Sequence, residues 1–149
     1  MIVTFDTNIL VYATGPAQDE KCILAQALSI RGAQSGNLVL LLQTLIEFSG
    51  VAVRKVGMAR EDVQGAIAAW RRALPIEPTV YEDLPAALGA VARYRLAFWD
   101  AVLWATARRL GTQYFLTEDF QDGRILEGVR FVNPFSAKNG SLIERILPR

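Results

Sequence analysis

The chain has 149 residues, 52% of them hydrophobic, enough to bury one core without cross-links or structural metal. Cys22 is the only cysteine and there is no histidine, which excludes an intramolecular disulfide, a Cys/His zinc cluster and an imidazole acid–base pair. The net charge of +1 says little about partners, because 16 basic side chains nearly cancel 15 acidic ones.

The opening MIVTFDTN has no cationic segment followed by a signal-length apolar run. No later stretch approaches the roughly 20 uninterrupted apolar residues of a membrane span. A soluble, unprocessed protein of the reducing cytoplasm is expected, with one domain over residues 1–149. Met1 to Phe5 reads as a first strand, and Ala17 to about Ala33 as a helix with Asp19 and Glu20 in its first turn. Leu38 to Leu42 is a second strand, continuous in Leu and Val as a strand covered on both faces should be. Helices follow over Thr44 to about Lys55 and Arg60 to Ala73, then a short third strand between Pro75 and Pro78. A helix from about Tyr81 to Tyr94 tolerates Pro85 only near its first turn, and Asp100 to Leu110 forms the next, closed by Gly111. Tyr114 to Thr117 and Val129 to Val132 are the fourth and fifth strands, and the tail from Ser136 has no clear pattern. Strand-length apolar runs alternating with helical stretches predict an α/β domain with a mainly parallel sheet.

Four acids are planted in or at the end of the most apolar stretches: Asp6, Glu47, Asp100 and Asp119. Burying a carboxylate is costly without a compensating partner, and few basic residues stand beside these four. A divalent cation is the natural compensator. Asp6 and Asp119 fall just past the carboxyl ends of two strands, Glu47 in the first turns of the helix after the second strand, and Asp100 at a helix start. In an open parallel sheet those places line one crevice. Each acid also has a plainer reading: Asp6 could cap a helix opening with Ile9-Leu10-Val11, and Glu118 and Asp122 offer the same chemistry as Asp119. Asp100 has no Glu or Gln three residues on to complete a capping box, and the residues around Glu47 leave little room for a polar stripe. Glu61, Asp62, Glu82 and Asp83 read as ordinary helix-start acids without function.

The opening strand with Asp6-Thr7-Asn8, the Glu47 helix, Trp99-Asp100-Ala101 and Leu116-Thr117-Glu118-Asp119-Phe120 together resemble the PIN-domain nucleases, in order and spacing and over nearly the whole chain. The short length resembles VapC-type toxins of toxin–antitoxin pairs. The resemblance implies a three-layer α/β/α fold and Mg²⁺- or Mn²⁺-dependent cleavage of RNA. It assigns metal binding and catalysis to Asp6, Glu47, Asp100 and Asp119, and supporting polar roles to Asn8 and Thr117. Many relatives carry a further acid two residues after the fourth; here that position is Gln121, with Asp122 as the candidate substitute. The resemblance also implies an antitoxin partner and a homodimer, which the positive mean hydropathy and many apolar helix positions accommodate.

Oxygen-only ligands select Mg²⁺ or Mn²⁺ over zinc, and such cations promote phosphodiester hydrolysis. With the four acids neutralised the net charge becomes +5, and 13 of the 16 basic residues are arginine, which suits phosphate recognition. Arg54, Lys55, Arg71, Arg72, Arg93, Arg95, Arg108 and Arg109 are candidates to grip an RNA backbone, although solvated helix faces explain most of them. A phosphoacceptor is disfavoured: Asp6-Thr7-Asn8 lacks the second aspartate of a dehalogenase-type phosphatase, and no lysine follows a later strand as in a receiver domain. A non-catalytic RNA- or protein-binding module, or an RNA-processing nuclease without a toxin role, would share much of this pattern.

Overall fold

The computed structural model describes residues 1–149, and in it the short runs rich in Val, Leu and Phe become strands β1 (Val3–Phe5), β2 (Leu40–Leu41), β3 (Ile76–Glu77), β4 (Tyr114–Leu116), β5 (Ile125–Leu126) and β6 (Val129–Val132). β4 pairs in parallel with β1 on one side and β6 on the other, and β5 closes that edge antiparallel to β6. The parallel pair β2–β3 joins the opposite side of β1 through a bridge between Val3 and Leu38. The sheet is therefore mainly parallel, with helical connections between its parallel strands except from β4 to β6, where the chain returns through β5.

Seven helices surround it: α1 (Thr7–Ala13), α2 (Glu20–Ser35), α3 (Leu42–Val51), α4 (Arg60–Ala73), α5 (Asp83–Tyr94), α6 (Phe98–Arg109) and α7 (Gly140–Ile146). Successive strand residues point to opposite faces, and this alternation builds the layers. Leu116 and Val132 enter the core shared with α1, α2, α3 and α7, whereas their neighbours Phe115 and Phe131 enter the core shared with α5 and α6. The result is an α/β fold with helices on both sheet faces. α6 is buried from Ala101 to Ala107, which explains why its sequence is apolar all round. No helix is long and apolar enough to cross a membrane.

Four departures from the sequence expectations have physical causes. α3 begins at Leu42, two residues before the expected start, and runs into a π-helical turn over Ala52–Val56. α6 begins at Phe98, so Asp100 lies inside its first turn; the residue before the helix, Ala97, offers no side-chain cap. β5 has only two residues and turns into β6 through Glu127 and Gly128, both at positive φ (45° and 91°), a tight hairpin too short to show as a pattern. The tail forms α7, whose Ile143 and Ile146, with Leu147, complete the core against α2. Arg31 on α2 fastens it by donating to the Leu147 carbonyl.

Candidate metal centre

Asp6 follows β1 directly, and its N–H donates to the Leu116 carbonyl at the end of β4, so the two strand ends are tied where the chain leaves the sheet. One Asp6 carboxylate oxygen accepts the Thr7 N–H at 2.7 Å as the N-cap of α1, and the other accepts the Thr117 hydroxyl at 2.6 Å. Helix capping and site formation are thus both properties of this one side chain. The Thr117 oxygen also accepts the Asp119 N–H at 3.1 Å, and Asn8 donates its side-chain amide to Asp119 Oδ2 at 3.1 Å. Glu47, on the second turn of α3, is held by the Thr7 hydroxyl at 3.0 Å and the Gln43 amide at 2.7 Å. The same Gln43 nitrogen donates to the Trp99 carbonyl at 3.1 Å, which fixes α3 to the first turn of α6. Because α6 runs antiparallel to β4, which follows it, its first turn lies at the carboxyl ends of the strands. There Glu47 and Asp100 share a cleft of about 530 Å³ with Gln43, Ile46 and Trp99.

The electrostatics link the four acids. Burial pushes the Asp6 carboxyl up to about 6; the Thr117 and Thr7 hydrogen bonds oppose this, and the charges of Asp119 and Asp100 add to it. Asp100 is raised by burial first, then by the charges of Glu47 and Asp119. None of the seven Lys/Arg ion pairs of the molecule includes any of the four. They form a negative array without a protein cation.

Their acidic neighbours are occupied differently. Glu118, adjacent to Asp119, accepts the Tyr12 hydroxyl and the Lys21 ammonium, both at 2.7 Å, and is bound to α1 and α2. Asp122, the candidate for a further site acid, accepts the Asn133 N–H at 2.9 Å and the Asn139 amide, and pairs with Lys138 at 2.8 Å. Burial raises its carboxyl, but Lys138 and those donors outweigh it and hold the group below the usual carboxylate range. It ties the loop after β4 to the chain after β6. Asp83, read as an ordinary helix-start acid, is instead buried against Arg109. Of the proposed backbone-gripping cations, Arg109 is spent on Asp83, Arg93 and Arg108 pair with Glu127, and Arg54 folds back to the Gly50 carbonyl. Thr7 and Gln43 were not singled out from sequence. The offset of four residues from Gln43 to Glu47, one helical turn, was the available signal.

The donor set suits a hard cation: carboxylate oxygens, with no thiolate or imidazole nearby. Two more oxygens at the site, Asn8 Oδ1 and Gln43 Oε1, are buried without a hydrogen-bond partner, although the nitrogen of each amide is engaged with a site acid. The acids stand as an open array, no three of them close enough together to enclose an ion. The residues fit a Mg²⁺ or Mn²⁺ site by chemistry and charge, and closure around an ion requires the side chains to draw inward.

Three solved structures share the fold. The VapC20 toxin of Mycobacterium tuberculosis, described as cleaving the sarcin–ricin loop, is 18% identical with a TM-score of 0.63, over 84% of this chain and 97% of that one. VapBC2 of Rickettsia felis, solved bound to a DNA fragment from its promoter, is 16% identical with a TM-score of 0.63, over 88% and 97%. DNA-bound VapBC of Salmonella typhimurium is 14% identical with a TM-score of 0.62, over 88% and 96%. No curated protein sequence matches the chain. The sequence profile described as the PIN domain matches residues 3–122, which include all four acids. PIN domains are typically nucleases and generally depend on metal, and on this match over most of its length the chain belongs to the PIN-domain family.

Proposed function

We propose that residues 1–149 act as one Mg²⁺- or Mn²⁺-dependent endoribonuclease domain, with Asp6, Glu47, Asp100 and Asp119 as ligands of the cation. The observation that carries this reading is the mutual repulsion of carboxylates from four separate elements with no protein cation beside them. When bound, the cation supplies the Lewis acid that phosphodiester hydrolysis requires. The chain's own residues set the geometry: Thr117 orients Asp6, Asn8 orients Asp119, and Thr7 and Gln43 orient Glu47 from opposite sides. With no histidine in the chain, proton movement at the site falls to carboxylates and water. Asp6 is the acid suited to hold a proton near pH 6 in the metal-free state.

The fold shared with VapC and VapBC structures supports a place as the toxin of a VapBC-type pair, acting in the cytoplasm with a cognate antitoxin and as a homodimer. Large apolar side chains left uncovered on α2 (Ile23, Ile30) and α5 (Leu84, Leu88) supply faces for those contacts. The decisive experiment is cleavage of end-labelled RNA by the purified chain with Mg²⁺ or Mn²⁺, with and without chelator. Internal cuts that vanish with chelator support the reading; binding without cutting replaces it with a non-catalytic module. Growth arrest on expression, relieved by a small protein encoded beside this chain, separates a toxin from an RNA-processing nuclease.

A further inference from the structure

The two central acids have unusual neighbours. Glu47 is preceded by Ile46 and Asp100 by Trp99, and these apolar side chains are 63% and 65% exposed, while the residues that follow on α6 are buried. Both line the cleft that contains Glu47 and Asp100. On its other side they also border a second hollow of about 290 Å³ with Leu42, Pro78, Thr79 and Val102. Trp99 is braced: the Phe98 ring meets it edge-on at 5.2 Å and 69°, and Gln43 binds its carbonyl while also binding Glu47. The backbone that carries the indole is therefore held beside Glu47, with most of the ring surface open.

We propose that Trp99, with Ile46 opposite, forms a subsite that stacks an unpaired nucleobase of the RNA next to the scissile phosphate. This rests on the nuclease reading and names the part of the substrate that the chain recognises. An aromatic face open to the cleft offers stacking to any base, and stacking requires that the base be out of a duplex. A protein segment without Lys or Arg laid on the same surface would cover Glu47 and Asp100 without neutralising them, a cost that a phosphodiester arriving with cations avoids. Because one clamp holds Trp99 and Glu47 together, a base seated on the indole places its own phosphate towards the acids. Trp99 thus acts in binding and register, and takes no part in bond breaking.

The kinetic test uses short single-stranded oligoribonucleotides of each base, and the same oligomers with an abasic ribose at single positions flanking the cut. Trp99→Ala is expected to raise KM by about tenfold or more, in line with the loss of one stacked base, and Trp99→Phe to recover most of it. Removing the stacked base is expected to cost the wild type a similar factor and Trp99→Ala nothing further. The binding test reads tryptophan fluorescence in the Asp100→Asn background with Mg²⁺, where quenching should require both Trp99 and the base. A Trp99→Ala enzyme with unchanged KM and base preference, or equal losses on intact and abasic oligomers, overturns the subsite. Base-dependent quenching, together with a wild-type chain that cuts no RNA with either ion, overturns the nuclease reading and leaves the base-stacking subsite standing.

Discussion

Asp6 and Asp83 are buried almost equally, 6% and 2% exposed, yet their carboxyls are shifted in opposite directions. Burial raises both. At Asp83 it is outweighed by Arg109, which donates from Nε at 2.8 Å and Nη2 at 3.1 Å, and by the Val80 N–H and the Thr106 hydroxyl, so the group is held below the usual carboxylate range. At Asp6 two neutral donors do not suffice, and the nearest charges are more carboxylates. One acid is satisfied by the protein that contains it; the other is left to be satisfied from outside. The contrast separates a carboxylate paired within the fold from the one proposed as a ligand, which exposure alone does not.

The largest expected effect falls on the unsatisfied side. Asp100→Asn should lower RNA cleavage by more than about a hundredfold, beyond the cost of losing a group that only supports a ligand, with circular dichroism and the unfolding midpoint retained. Next comes the satisfied side. Asp83→Ala should destabilise the fold toward the lower end of the about 3–5 kcal/mol seen for broken buried pairs, because Arg109 keeps partial access to water. Urea unfolding measures this, and metal should not change it.

The third prediction tests the signs. The folded Asp6 carboxyl titrates above its ordinary 3.8, at about 6. Its contribution to stability is therefore fully present below about pH 3.8 and lost as pH rises through about 6. Metal-free Asp6→Asn should then be more stable than the wild type at pH 8, by at most about 3 kcal/mol, and no more stable at pH 3.5. Mg²⁺ or Mn²⁺ at pH 8 should reverse the order by stabilising only the wild type. A wild type that gains nothing from either ion would place Asp6 with Asp83 as a structural group. The smallest effect belongs to Asn8→Ala, which frees Asp119 and should weaken Mn²⁺ binding, measured calorimetrically, by about 10–100-fold.

The comparison also explains what the sequence revealed. Asp6, Glu47 and Asp100 stood out because each interrupts an apolar run, a local signal, and the strand between Pro75 and Pro78 was legible for the same reason. Asp83 looked ordinary because what distinguishes it, Thr106 and Arg109, is contributed 23 and 26 residues later by another helix. The partners of Asp122 were hidden in the same way, since Asn133, Lys138 and Asn139 lie beyond a strand that had to fold back first. Thr7 and Gln43 are common residue types in helix first turns, and only the packing of α1 against α3 gives them a shared target in Glu47. Local patterns mark an acid in the wrong place, but its partners are a property of the tertiary structure.

The order of the strands adds a matter of timing. β4 lies between β1 and β6, so the middle of the sheet is laid down late, and β1 waits more than a hundred residues for its neighbour on that side. During synthesis from the amino terminus, Asp6 emerges 111 residues before Thr117, which with Asp119 completes its surroundings. A nascent polypeptide interrupted before that point lacks the strand end that brings the four acids together, so the array assembles only after β4 has been made.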